Sequence, residues 1–212
     1  HVDTFICPSI YVREKLIQGG FDPLKCIVVP SLADYFSGDP TPREIGSHRK
    51  GVLYVGRLSP EKVLQELLKA WKGIVTCEEL TIIGEGPQRK YLEAYATAER
   101  IERVRFVGWK SHDEVLQAMR GARAIAIPSL FPEPFGMVAL EALLQGCPII
   151  VSHRGALPQF VNQSNGKVVD VLDTENFTKT LQEACDTASA PFDNRLILEA
   201  FDAQKAFQKI MA

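Results

Sequence analysis

Two carboxylates and two cations in this 212-residue chain have the types and spacing to do chemistry on a phosphorylated ligand. Glu133 and Glu141 bracket the stretch Glu133-Pro134-Phe135-Gly136-Met137-Val138-Ala139-Leu140-Glu141. Arg57 and Lys62 lie in Gly56-Arg57-Leu58-Ser59-Pro60-Glu61-Lys62. Arg57 offers a planar fork of donors to phosphate oxygens, and Lys62 adds a point charge at the start of the next helix. Gly56 lets backbone approach a ligand closely. The amides of Gly136, Met137 and Val138 fall in the first turn of a predicted helix, where no intrahelical acceptor reaches them. With the helix dipole they suit an anion such as phosphate. Glu133 lies in the loop before that turn. Glu141 lies further along the helix, and helical side chains lean back towards the N-terminus, so both carboxylates can face one mouth.

These groups need rigid elements behind them. The apolar run Ala124-Ile125-Ala126-Ile127-Pro128 reads as a buried strand and Val138 to Gln145 as a helix, with Gly146 at its left-handed cap. Val52–Val55 is a strand that delivers Gly56. Leu64, Leu67, Leu68 and Trp71 mark one face of the following helix. Strands follow at Leu80–Ile83, Val104–Val107, Pro148–Val151 and Lys167–Val169. Helices are expected after Pro87 and from Ser111, where Ser111 and Glu114 can form a capping box. A short helical turn is expected near Pro158-Gln159-Phe160, and two last helices over about 174–188 and 195–209. Strands alternating with helices predict an α/β fold: a Rossmann-like parallel sheet with helices on both faces. In such sheets ligands sit outside the carboxyl ends of the strands.

Composition fits a soluble globular protein, with 46% hydrophobic and 24% charged residues. The formal net charge of −2 gives no general attraction to nucleic acid or an acidic membrane. Cys7, Cys26, Cys77, Cys147 and Cys185 are scattered and contain no Cys-x-x-Cys pair, so reduced thiols are expected, with neither a zinc site nor a disulfide framework. His1, His48, His112 and His153 show no metal-binding spacing and read as solvated or capping residues. The chain begins with His1 rather than Met, so it can be a processed or truncated piece and the lack of a targeting segment carries no weight.

Glu133 and Glu141, with Pro-Phe-Gly after the first, resemble the E-x7-E motif of the family-four retaining glycosyltransferases, whose GT-B fold sets two Rossmann-like domains across a cleft. Gly56 to Lys62 resembles the family's G-R-x-x-x-x-K, with Val63 where a Gly usually follows. Gly84-Glu85-Gly86-Pro87 reads as a tight turn into a Pro-started helix, and it is similar to the family's G-x-G-P turn near the donor. Phe106-Val107-Gly108-Trp109-Lys110 resembles the segment whose backbone reads the nucleobase edge; Trp109 can equally pack against the next helix. Gly155-Ala156-Leu157-Pro158-Gln159 is similar to a segment that usually has Glu where Gln159 stands. The resemblance implies a nucleotide-sugar donor (UDP-, GDP- or ADP-linked), no cofactor and no required metal. Arg57 and Lys62 would hold the diphosphate and Glu133 the donor sugar, as catalytic groups. Gly56, Gly84, Gly86, Trp109, Lys110, Phe135, Gly136, Met137, Val138 and Glu141 would bind the donor, with Glu141 on the ribose. It implies residues 51–212 as the donor domain, 38–50 as a linker, and 1–37 as either the end of an N-terminal acceptor domain or a first βαβ unit. The acceptor (sugar, lipid or protein) is left open. A cytoplasmic location is expected, peripheral to a membrane if the other domain makes it so. A sugar-nucleotide epimerase and a non-catalytic nucleotide-binding module are the alternatives.

Overall fold

The computed structural model describes residues 2–30, 49–187 and 208. The segment expected as a linker and the helix expected over 195–209 lie almost wholly outside the described residues, as do His1 and His48. Two sheets are present. A small one pairs β1 (Phe5–Cys7) in parallel with β2 (Cys26–Val28), joined through α1 (Ile10–Gln18). Ser9 caps α1 by accepting from the Val12 amide at 3.1 Å.

The main sheet has six strands: β3 (Val52–Val55), β4 (Leu80–Ile83), β5 (Val104–Gly108), β6 (Ala124–Ile127), β7 (Ile149–Ser152) and β8 (Gly166–Val169). Their spatial order is β5-β4-β3-β6-β7-β8, all parallel. The chain thus runs outward from β3 through β4 to β5, then returns to the other side of β3 at β6. This reversal opens a crevice between the loops after β3 and β6, the place where such sheets bind ligands.

Both faces are covered, as near-continuous apolar strands require. Val52 and Tyr54 of β3 point into one layer with α2 (Leu64–Lys72), α3 (Arg89–Ala98) and α6 (Thr174–Asp186); Trp71, Leu68, Phe177 and Leu181 fill it. Leu53 points the other way, to α4 (His112–Gly121) and α5 (Met137–Leu144), among Met119, Leu140, Leu143 and Phe160. The alternation follows from the two-residue period of a strand. Each fully buried Leu contributes about 1.5–3 kcal/mol, so these layers hold the loops above them firmly. The capping box of α4 is formed, with Ser111 and Glu114 bonding reciprocally.

The cysteines require a correction. Cys77 and Cys185 form a disulfide, with Cα atoms 5.2 Å apart and a sequence separation of 108. The expectation of five reduced thiols fails because α2 and α6 share one face of the sheet. That packing brings the loop after α2 to the end of α6, and no local spacing announces it. Cys7, Cys26 and Cys147 are free and buried.

Candidate functional site

The first wall of the crevice begins where β3 ends. Gly56 adopts φ 154°, and the buried Tyr54 ring lies beneath it, donating its hydroxyl to the Arg57 carbonyl at 2.9 Å. Burial, then the charges of Glu133 and Glu61, push the Tyr54 phenol well up, so it remains a donor. The next loops are laced to this one: Gly56 N bonds Ile83 O at 3.0 Å, Leu58 N bonds Glu85 O at 2.9 Å, and Gly84 N bonds Gly108 O at 2.8 Å. A Cβ on Gly84 would lie 1.9 Å from Gly56 O, and one on Gly86 2.3 Å from Leu58 O. The Gly-x-Gly turn is therefore demanded by backbone packing between loops. Arg57 is exposed on this rim.

After Arg57 the chain makes a 3-10 turn, Pro60–Lys62, and Val63 takes left-handed backbone at φ 42°, ψ 43° before α2. That conformation explains why the related motif has Gly there: a β-branched residue in it costs about 1–2 kcal/mol. Val63 offsets part of the cost by packing its side chain on the core layer.

The second wall is the loop after β6. Leu130 N and Phe131 N both bond Glu61 O, at 3.0 and 3.3 Å, tying it to the 3-10 turn. Ser152 donates to Ser129 O at 2.5 Å beneath it, in full burial. Gly155, at φ 64°, lies so close that a Cβ there would sit 2.3 Å from Glu133 N and 2.5 Å from Glu133 O. Ala156 N bonds Glu133 O at 2.8 Å, and Ser9 donates to Pro134 O at 2.5 Å. The Glu133 backbone is therefore held by Gly155 and Ala156, and the following residue by Ser9. The Glu133 carboxylate accepts from Lys62 Nζ across the crevice, both side chains being largely buried. Lys62 Nζ also lies 5.8 Å from the centroid of the Phe131 ring.

The floor is the start of α5. Gly136 takes φ 103°, packed on Leu157 and Phe160. The first helical bonds are made by Ala139 and Leu140 to Gly136 O, at 3.0 and 3.2 Å. The Gly136, Met137 and Val138 amides thus precede the hydrogen-bonded helix. Phe135 is buried edge-to-face against Phe160, ring centroids 5.5 Å apart, and anchors the turn from below. Glu141 follows one turn on and is 8% exposed. Burial raises its carboxyl above the ordinary value; His112, whose Nδ1 is 4.0 Å from Glu141 Oε1, opposes that rise.

The fold therefore brings Lys62 and Glu133 into contact and sets the start of α5 directly after the Glu133 loop. It keeps Trp109 and Lys110 on the loop after β5. Trp109 is 74% exposed rather than packed on a helix. Lys110 pairs with Glu114 at 2.7 Å within the cap of α4. Gln159 is exposed on the 3-10 turn Leu157–Phe160. Tyr54, Phe131, His112 and Gly155 were missed from sequence. Gly155 stood in a segment already noted, but its contact with Glu133 depends on the adjacency of β6 and β7. Among the described residues no group of three or more His, Cys, Asp or Glu side chains could hold a metal ion, and no helix is long and apolar enough to cross a membrane.

A parallel α/β sheet doubly wound about a reversal point is a fold of GT-B glycosyltransferases. The chain belongs to the family described as glycosyl transferases group 1, whose profile matches residues 40–200. An uncharacterised glycosyltransferase of Methanocaldococcus jannaschii is 37% identical over 161 residues, 73% of this chain and 40% of that protein. A glycogen synthase of Mycobacterium tuberculosis is 35% identical over 144 residues, 66% of this chain and 34% of that protein. The chain thus spans between a third and two-fifths of the length of these relatives. Among solved structures, the Anabaena protein HepE with UDP and glucose superposes with a TM-score of 0.78 at 21% identity, over 99% of this chain and 62% of that one.

Proposed function

We propose that these residues bind the donor of a retaining glycosyltransferase, which moves a sugar from a nucleotide sugar to an acceptor bound on a facing domain. The observation that carries the reading is the meeting of Lys62 and Glu133 at the reversal of the sheet, with the start of α5 directly after Glu133. The chemistry asked of the protein is to stabilise a nucleoside diphosphate as it leaves. Arg57, Lys62 and the first-turn amides supply charge and dipoles that need no reorganisation at the moment of reaction, each worth about 3 kcal/mol of barrier by comparison with one oxyanion-hole donor. Glu141 accepts from ribose hydroxyls and Glu133 from hydroxyls of the sugar. Trp109 and Lys110, on the loop after β5, are assigned to the nucleobase. No step calls for a metal. Transfer also needs the acceptor oxygen held about 3–3.5 Å from the anomeric carbon. One open sheet leaves the donor exposed to water, so these residues alone are expected to bind donor without efficient transfer.

Calorimetry with UDP, GDP and ADP tests the reading and identifies the base. At least one should bind, and Arg57→Ala with Lys62→Ala should weaken it by about 1.5–3 kcal/mol for each charge-assisted hydrogen bond lost. Equal affinity of wild type and double variant for all three would sink the assignment.

A further inference from the structure

The Lys62–Glu133 contact has a consequence for which nucleotide the site retains, given the donor-binding reading above. Lys62 is turned to Glu133 and over the Phe131 ring. The neighbouring acid, Glu61, is instead occupied by Ser59, whose hydroxyl donates to it at 2.6 Å. Glu133 is thus the carboxylate that competes with an incoming diphosphate for the Lys62 ammonium. Its backbone is held beside Lys62 by Gly155 and Ala156, and the next residue by Ser9, so the carboxylate is anchored within reach of the ammonium.

The two nucleotide forms meet this arrangement differently. A sugar conjugate brings hydroxyl donors, which can satisfy the carboxylate once the ammonium turns to phosphate. A bare nucleoside diphosphate puts an ionised terminal phosphate here in place of the sugar hydroxyls and leaves the carboxylate without a donor, which is costly in a largely buried position. We propose that Glu133, acting through Lys62, makes the site discriminate against the spent nucleoside diphosphate in favour of the nucleotide sugar, so that loss of the sugar itself promotes release of the product.

The test is a binding cycle. Wild type, Glu133→Gln, Lys62→Met and the double variant are titrated with UDP, GDP and ADP, and with UDP-glucose, GDP-mannose and ADP-glucose. Glu133→Gln should tighten the bare diphosphate that wild type binds by about fivefold, the upper scale measured for one solvent-accessible ion pair. It should tighten the conjugate little or weaken it, so the preference for conjugate falls. In the Lys62→Met background the same change should tighten bare diphosphate clearly less, since the contested ammonium is gone and only direct carboxylate–phosphate repulsion is relieved. Melting curves check that each variant is folded. Glu133→Asp, which withdraws the carboxylate by one methylene, is the second variant and should tighten bare diphosphate in the same direction. Weakened or unchanged bare-diphosphate binding in Glu133→Gln, or an equal gain without Lys62, overturns the proposal. If wild type binds none of the three diphosphates, the donor-binding reading itself falls.

Discussion

Glu141, proposed to meet the ribose, shows how a candidate binding residue can oppose the stability of its own domain. Its carboxyl is buried on α5, and burial raises it above the ordinary value of 4.5 against the pull of His112. As pH rises, the unfolded chain loses this proton first, so the folded state binds more protons. The associated stability is complete below the ordinary carboxylate range and is lost as pH rises through the raised folded value. Glu141→Gln removes that loss. The variant should melt above wild type at neutral pH, with the gap closing towards pH 4, while its affinity for nucleoside diphosphate falls. Thermal melts from pH 4 to 8 check the first part and calorimetry the second. A variant that melts below wild type at pH 7 would mean that His112 fully compensates the buried charge.

At the scale of elements, the crevice depends on backbone meeting backbone without side chains between. Gly155 is the tightest case on the Glu133 side. Its φ of 64° disfavours any other residue, and its Cα faces the Glu133 amide and carbonyl. Gly155→Ala adds about 1–2 kcal/mol for the left-handed conformation and about 1–3 kcal/mol of overpacking. The expected loss is about 2–5 kcal/mol of stability, and Glu133 must move. Denaturant unfolding measures the first effect. The second should appear as loss of preference for the sugar conjugate over the bare diphosphate. An alanine variant with wild-type stability and preference would show that the loops after β6 and β7 adjust freely.

At the scale of the whole molecule, the Cys77–Cys185 disulfide closes most of the described domain into one covalent loop. Around it, Thr178 donates to Ala70 O at 3.1 Å and Val75 N bonds Gln182 Oε1 at 3.3 Å. Cross-linking at this separation restricts the unfolded chain by up to about 4–5 kcal/mol in the chain-entropy account. Reduction, or Cys185→Ser, should therefore lower Tm by about 10 °C at this chain length. Differential scanning calorimetry with and without reductant decides it, beside mass-spectrometric thiol counting. Identical melts would show that the bridge does not form in solution.

Local sequence is enough to specify the elements and their order. All six strands of the main sheet lie within a residue of the short strand-forming segments read between turn signals, and the Ser111–Glu114 box is formed as its spacing dictates. These are local properties, set by side-chain period and by the backbone's need for caps. It also marked Arg57, Lys62, Glu133 and Glu141, because charge beside glycine at a strand-to-helix turn is legible without a fold. The tertiary structure decided what those residues touch. Lys62 reaches Glu133 because β6 lies against β3 although two strands intervene in the chain. Val63 has to accept left-handed backbone, Gly84 and Gly86 have to admit a neighbouring loop, Trp109 projects outward, and Cys77 finds Cys185. The Lys62–Glu133 pair, the glycine turns and the disulfide are contacts between segments distant in sequence. The free energy of such contacts belongs to the packed arrangement, and no window along the chain contains it.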